Sequence, residues 1–143
     1  MTQILQKHSS ACPSIAICKE AGAQSITQHL RKSVFSNCTI NERFHAIFID
    51  RNRNFIDEVT FYSENISKIS LRMRDLFARA LSVGSGAIII SHNHPSGDCR
   101  PSVKDIQATA RICAIAGALD IELVDHLIFT SSSLYSMRAR GDL

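Results

Sequence analysis

Ile88-Ile89-Ile90-Ser91-His92-Asn93-His94-Pro95-Ser96-Gly97-Asp98-Cys99-Arg100-Pro101-Ser102-Val103-Lys104-Asp105 is the stretch on which the reading of the whole chain turns. Its β-branched start predicts a strand over Ala87 to Ser91 that runs into two histidines one residue apart. In extended chain, residues two apart share a face, so both imidazoles leave on the same side. Pro95 favours that persistence, because a residue before proline is pushed away from helical geometry and here that residue is His94. Asn93 then points the other way and serves the loop. After a polar turn carrying Gly97, Pro101 and Ser102 look like a helix start, which sets Asp105 in the first turn with its carboxylate able to face back. His92, His94 and Asp105 form a three-ligand set of the kind that holds catalytic zinc with a fourth position left open. The competing reading makes the histidines loop donors and Asp105 only the N3 acid of a capping box opened by Ser102.

Outward from that stretch, Lys68 to Val83 predicts an amphipathic helix with Ile69, Met73, Leu76, Phe77, Ala80 and Leu81 on its apolar stripe, closed by Gly84-Ser85-Gly86. Ser102 to about Ala116 predicts a second helix, with Ile106, Ala110, Cys113 and Gly117 as the side packed on a sheet. Upstream, Phe44 to Asp50 and Phe55 to Thr60 flank Arg51-Asn52-Arg53-Asn54 as a hairpin. Glu20 to Phe35, with Ala23, Ile26, Leu30 and Val34 at helical spacing, predicts a further helix. Residues 1–19 have no clear period and are expected to be poorly ordered, and Ser36 to Thr39 to be a loop. Downstream, Ile121 to Val124 and Leu127 to Phe129 are strand-like, and Ser131-Ser132-Ser133 turns the chain before Leu134 to Met137. Strands interleaved with helices after an opening hairpin predict an α/β fold, a mixed β-sheet flanked by helices.

The pattern His92-x-His94, then Ser102 and Asp105, resembles the JAMM signature of the JAB/MPN metal-dependent hydrolases, and the wider wording HNHPSGD, PS and D followed by Asp125-His126 is similar to the RadC family. The likeness runs from about Glu42 to the C-terminus. It departs at Cys99, where the family usually has proline, and the N-terminal helix-hairpin-helix region of many RadC proteins has no counterpart here. The resemblance implies a three-layer α/β/α domain of JAB/MPN, cytidine-deaminase-like type over residues 20–143. It also implies a Zn2+ cofactor on His92, His94 and Asp105, a peptide or isopeptide substrate, and hydrolysis by metal-bound water.

Such hydrolysis needs a base. The residues alone leave Glu42, Glu58 and Glu64 open; the resemblance selects Glu42, in Asn41-Glu42-Arg43-Phe44, as the catalytic base. Ser102 reads as an N-cap with its hydroxyl proton free to face the site, and the resemblance makes it catalytic as an oxyanion donor. Asp125-His126 reads either as a pair that orients a ligand imidazole or as a satisfied core position. Cys99, in an arginine-flanked loop tip, reads as solvent-exposed rather than as a fourth ligand.

The chain has 143 residues, 45% hydrophobic and 20% charged, which suits one globular domain. A net charge of +3, with arginines dispersed, permits DNA contact without arguing for it. A DNA-repair-associated nucleic-acid module or metal nuclease is therefore the alternative function. A zinc nucleobase deaminase is disfavoured, since it needs His-x-Glu and a Pro-Cys-x-x-Cys pair. Five cysteines, Cys12, Cys18, Cys38, Cys99 and Cys113, show no CxxC and predict free thiols in a cytoplasmic protein. No secretory start or bilayer-length apolar run is present, so no membrane association is expected.

Overall fold

The computed structural model describes residues 21–35, 41–62 and 69–143. The elements follow in the order α1 (Ala21–Phe35), β1 (Arg43–Ile49), β2 (Phe55–Tyr62), α2 (Ile69–Ser82), β3 (Ala87–Asn93), α3 (Val103–Ala118), β4 (Glu122–Phe129), β5 (Leu134–Ser136) and α4 (Met137–Arg140). They form a mixed five-stranded sheet in the order β2-β1-β3-β4-β5. Only β3 and β4 pair in parallel, and α3 makes the crossover that a parallel pair requires. The remaining pairs are antiparallel. The α/β mixed sheet flanked by helices is thus the observed architecture. The expected disorder of residues 1–19, the loop at Ser36 to Thr39, Glu64, and Cys12, Cys18 and Cys38 lie outside the described residues.

Layering follows from the apolar runs of β1 and β3. Ala46, Phe48, Ile88 and Ile90 meet α2 and α3 on one face, while the alternate residues Ile47, Ile49, Ala87 and Ile89 meet α1 on the other. Strands buried on both faces lose the polar alternation of a one-sided sheet, which is why β3 reads as an unbroken apolar run. Helix α1 buries Ile26, Leu30 and Val34, each contributing roughly 1.5–3 kcal/mol by removal from water. The Arg31 guanidinium adds hydrogen bonds to the carbonyls of Thr130 (2.9 Å), Ser131 and Ser133 (both 3.2 Å).

The turns have local causes. Between β1 and β2 the Asp50 carboxylate accepts from the backbone N–H groups of Asn52 and Asn54, both at 2.8 Å. Helix α2 ends in a Schellman pair, Ser85 N–H to the Ala80 carbonyl at 2.9 Å and Gly84 N–H to the Leu81 carbonyl at 3.2 Å. Gly84 takes the left-handed conformation this requires, with φ +68°.

Three expectations need correction. On α2, Met73, Leu76, Phe77 and Ala80 are buried but Leu81 is 56% exposed. Leu81 lies about 100° past Ala80, at the edge of the stripe. On α3 the buried residues are Thr109, Ile112 and Ala116, whereas Ala110, Cys113 and Gly117 face solvent and Ile106 is 43% exposed. One residue of phase is about 100° of rotation, and the position of Asp105 sets it: Thr109, Ile112 and Ala116 follow Asp105 inward. Finally, the two strand-like pieces around Val124 are one strand. The register against β3 passes from Ile88↔Leu123 to Ile89↔Asp125, leaving Val124 as a bulged extra residue.

Among the described residues no helix is long and apolar enough to cross a membrane. Gly86 is the position least able to accept a side chain, because a Cβ there would lie 2.6 Å from Arg51 Cγ and 3.0 Å from its backbone nitrogen. Gly86→Ala is expected to destabilise the protein by about 1–3 kcal/mol through that overlap, read as a lowered midpoint in urea with an unchanged slope.

Candidate metal centre

Strand β3 extends to Asn93, two residues further than its composition suggested, and His94 N–H continues the ladder to the Phe129 carbonyl at 2.8 Å. The two imidazoles therefore do leave one face. Their Nε2 atoms are 2.9 Å apart. Asp105 closes the group, with Oδ1 3.3 Å from His92 Nε2 and Oδ2 3.2 Å from His94 Nε2. Asn93, pointing away, accepts from Arg43 N–H at 2.7 Å and donates to the Asn41 carbonyl at 3.3 Å. It thereby pins the segment that carries Glu42.

Hydrogen bonds decide which ring nitrogens carry protons. His94 Nδ1 lies 2.7 Å from the Asp98 carbonyl, which can only accept, so Nδ1 is protonated and Nε2 offers a lone pair. Gly97, at φ +88°, folds the loop so that this carbonyl reaches the ring. The other histidine is set from further away. The Thr109 hydroxyl donates to the Asp105 backbone carbonyl at 2.7 Å, so toward His126 Nδ1, at 2.6 Å, it accepts. His126 then carries its proton on Nδ1, and its Nε2 accepts from His92 Nδ1 at 2.7 Å. His92 Nε2 is left as a second lone pair beside that of His94. Burial holds the His126 pKa well below its ordinary value, so this ring stays neutral and can relay orientation this way.

Two facing lone pairs and a carboxylate suit a cation. Donors about 2.0–2.1 Å from a tetrahedral zinc stand roughly 3.3 Å from one another, close to the separations seen here. Burial pushes the Asp105 carboxyl upward, but hydrogen bonds outweigh it, from His92 and His94 when their Nε2 atoms carry protons that a metal would displace and from Ser102, and they hold the group ionised, far below the usual carboxylate range. In turn, the hydrogen bond to Asp105 raises His94. The residues present fit a divalent metal.

The capping-box reading of Asp105 is also correct. Ser102 N–H donates to Asp105 Oδ2 at 2.8 Å, and Asp105 N–H donates to Ser102 Oγ at 3.1 Å. One carboxylate serves both ends, so the two readings were never exclusive. The Ser102 hydroxyl proton is not free, however: it donates to Asp105 Oδ2 at 2.7 Å.

Glu42 is half-buried, stands where its charge raises His94, and shares with His92, Asp105 and Ser102 the rim of a cavity of about 170 Å³. Met73, Leu76 and Ile112 line the cavity's apolar floor. Glu58 is on the opposite face of the sheet, hydrogen-bonded to His29 and His45, and cannot reach the centre. Asp125 and His126 do not act as a pair: His126 orients His92, while Asp125 accepts from Ser136 Oγ (2.6 Å) and Arg138 N–H (3.0 Å) at the start of α4. Cys99 is half-buried and outside the ligand cluster. Thr109 was missed; its place four residues after Asp105 in a helix was the available signal.

Comparison with known proteins gives a family and relatives for the chain. The RadC-like JAB domain family model matches residues 20–142. Relatives include a UPF0758 protein of Chloroflexus aurantiacus, 36% identical over 100 residues, 70% of this chain and 44% of the relative. UPF0758 protein YkfG of Escherichia coli (strain K12) is 32% identical over 100 residues, 70% of this chain and 63% of the relative. A UPF0758 protein of Ruegeria pomeroyi is 38% identical over 102 residues, 71% of this chain and 46% of the relative. The chain thus spans roughly half the length of these relatives. With the family match covering nearly the whole described fold and the His92, His94 and Asp105 cluster at its centre, the chain belongs to the RadC-like JAB domain family.

Proposed function

We propose that this protein is a zinc-dependent hydrolase of amide or isopeptide bonds, with His92, His94 and Asp105 as the metal ligands, Glu42 as the general base and Ser102 as an oxyanion donor. The observation that carries the reading is the convergence of two Nε2 lone pairs and a carboxylate within 2.9–3.3 Å beside a half-buried glutamate and an apolar cavity. Zinc held there supplies Lewis acidity and lowers the pKa of a coordinated water to roughly 7.

The chain's own groups supply the rest. Glu42 takes the proton of the attacking water on its carboxylate and returns it to the leaving nitrogen. With a cation held by His92, His94 and Asp105, the Ser102 hydroxyl would be released from Asp105 Oδ2 and would donate to the developing oxyanion. Such a preorganised donor is worth roughly 3 kcal/mol. The Asp105 N–H, which donates to Ser102 Oγ, keeps the cap closed meanwhile. Met73, Leu76 and Ile112 exclude water from one side and favour an apolar side chain next to the scissile bond. The free thiols of Cys99 and Cys113 suit a reducing cytoplasm.

Glu42→Gln is expected to keep the metal and to lose about 10²–10⁴-fold in turnover. His92→Ala and Asp105→Ala should instead lose the metal, as read by elemental analysis alongside hydrolysis of a panel of peptides, isopeptides and DNA. Equal metal loss in all three variants would make Glu42 a ligand, and cleavage of DNA alone would replace the amide reading. Thr109→Val removes the acceptor that sets the His126 proton and should weaken zinc affinity about 10–100-fold in a competition titration. Ser102→Ala should lower kcat with metal retained and cost about 1 kcal/mol of stability as a lost cap.

A further inference from the structure

On the opposite face of the sheet, three other donors converge from three separate elements. His29 of α1 and His45 of β1 both direct Nε2 at a single oxygen of Glu58 on β2, His29 at 2.5 Å and His45 at 3.1 Å from Oε2. The donor atoms of the three side chains lie within 4.8 Å of one another. His45 is buried, and its Nδ1 is 2.6 Å from Thr60 Oγ1, the kind of outer partner that orients a ligating imidazole. His29 and Glu58 are about one-quarter exposed, which leaves solvent a way in.

We infer that His29, His45 and Glu58 form a second divalent-cation site, which ties helix α1 to the β1–β2 hairpin. Two imidazoles and one carboxylate without thiolate suit Zn2+, Co2+, Ni2+ or Fe2+ rather than Ca2+ or Mg2+. The site does not depend on the first: its ligands project from the other side of the sheet and share no residue with it.

The test uses the full chain carrying His94→Ala and Asp105→Ala, so that the first centre is disabled, and titrates it with Zn2+ and with Co2+ alone. About one equivalent of metal should remain bound after dialysis, with a Co2+ absorption spectrum and a raised melting temperature. Adding either His29→Gln or Glu58→Gln should remove that equivalent and the spectrum together. His29→Gln, on a helix surface, gives a folded arm by circular dichroism even where Glu58→Gln disturbs the hairpin. Absence of metal in the disabled chain would reduce the cluster to a hydrogen-bonded ion pair and overturn the inference. So would a bound equivalent indifferent to His29 and Glu58.

Discussion

The Asp105 carboxylate is shared between a helix and a cluster of imidazoles, and most of what surrounds it follows from that sharing. Through Oδ2 it accepts from the backbone and side chain of Ser102, closing the first turn of α3. Through both oxygens it stands 3.2–3.3 Å from the two Nε2 atoms that come from the end of β3. A helix held in this way has no freedom to rotate about its axis. Thr109, Ile112 and Ala116 are therefore its buried face, and the more apolar-looking Ile106 and Val103 are left outside.

That rotation also places Thr109 over His126, and the line of hydrogen bonds from Thr109 through His126 to His92 depends on a second backbone feature. In a regular strand Leu123 and His126, three residues apart, would face opposite sides. The bulge at Val124 returns His126 to the side of Leu123, beneath α3. A bulge here re-aims a side chain, and the side chain re-aimed is the one that sets the proton on the His92 imidazole. The cost of burying Thr109, His126 and His92 is offset because each has a hydrogen-bond partner in this line. Left unpaired in a low-dielectric interior, any one of them would cost about 1–3 kcal/mol.

The sheet thereby separates two kinds of polar cluster. On the α2–α3 side are His92, His94, Asp105 and the relay, next to a cavity; on the α1 side are His29, His45 and Glu58, next to a helix. Each includes strand residues whose alternate neighbours are core, His92 on β3 in the first and His45 on β1 and Glu58 on β2 in the second. Each histidine on β1 or β3 therefore belongs to one side without ambiguity, and Glu58 could not have served the centre at Glu42.

The sequence by itself determined most of the elements and the three residues of the candidate metal cluster. The β-branched run, the His-x-His spacing, the pre-proline position of His94 and the cap at Ser102 are all local. Local geometry carries both imidazoles to one face and Asp105 to a first turn whatever the rest of the chain does. Only the tertiary structure decided which face of α3 is buried, that Val124 is an extra residue, where the Ser102 proton goes, and that His29, His45 and Glu58 meet. Each of these depends on contacts between segments far apart in sequence. Helical periodicity leaves the axial rotation undetermined when both faces carry apolar residues, and a bulge is invisible until the strand has a partner to be out of register with.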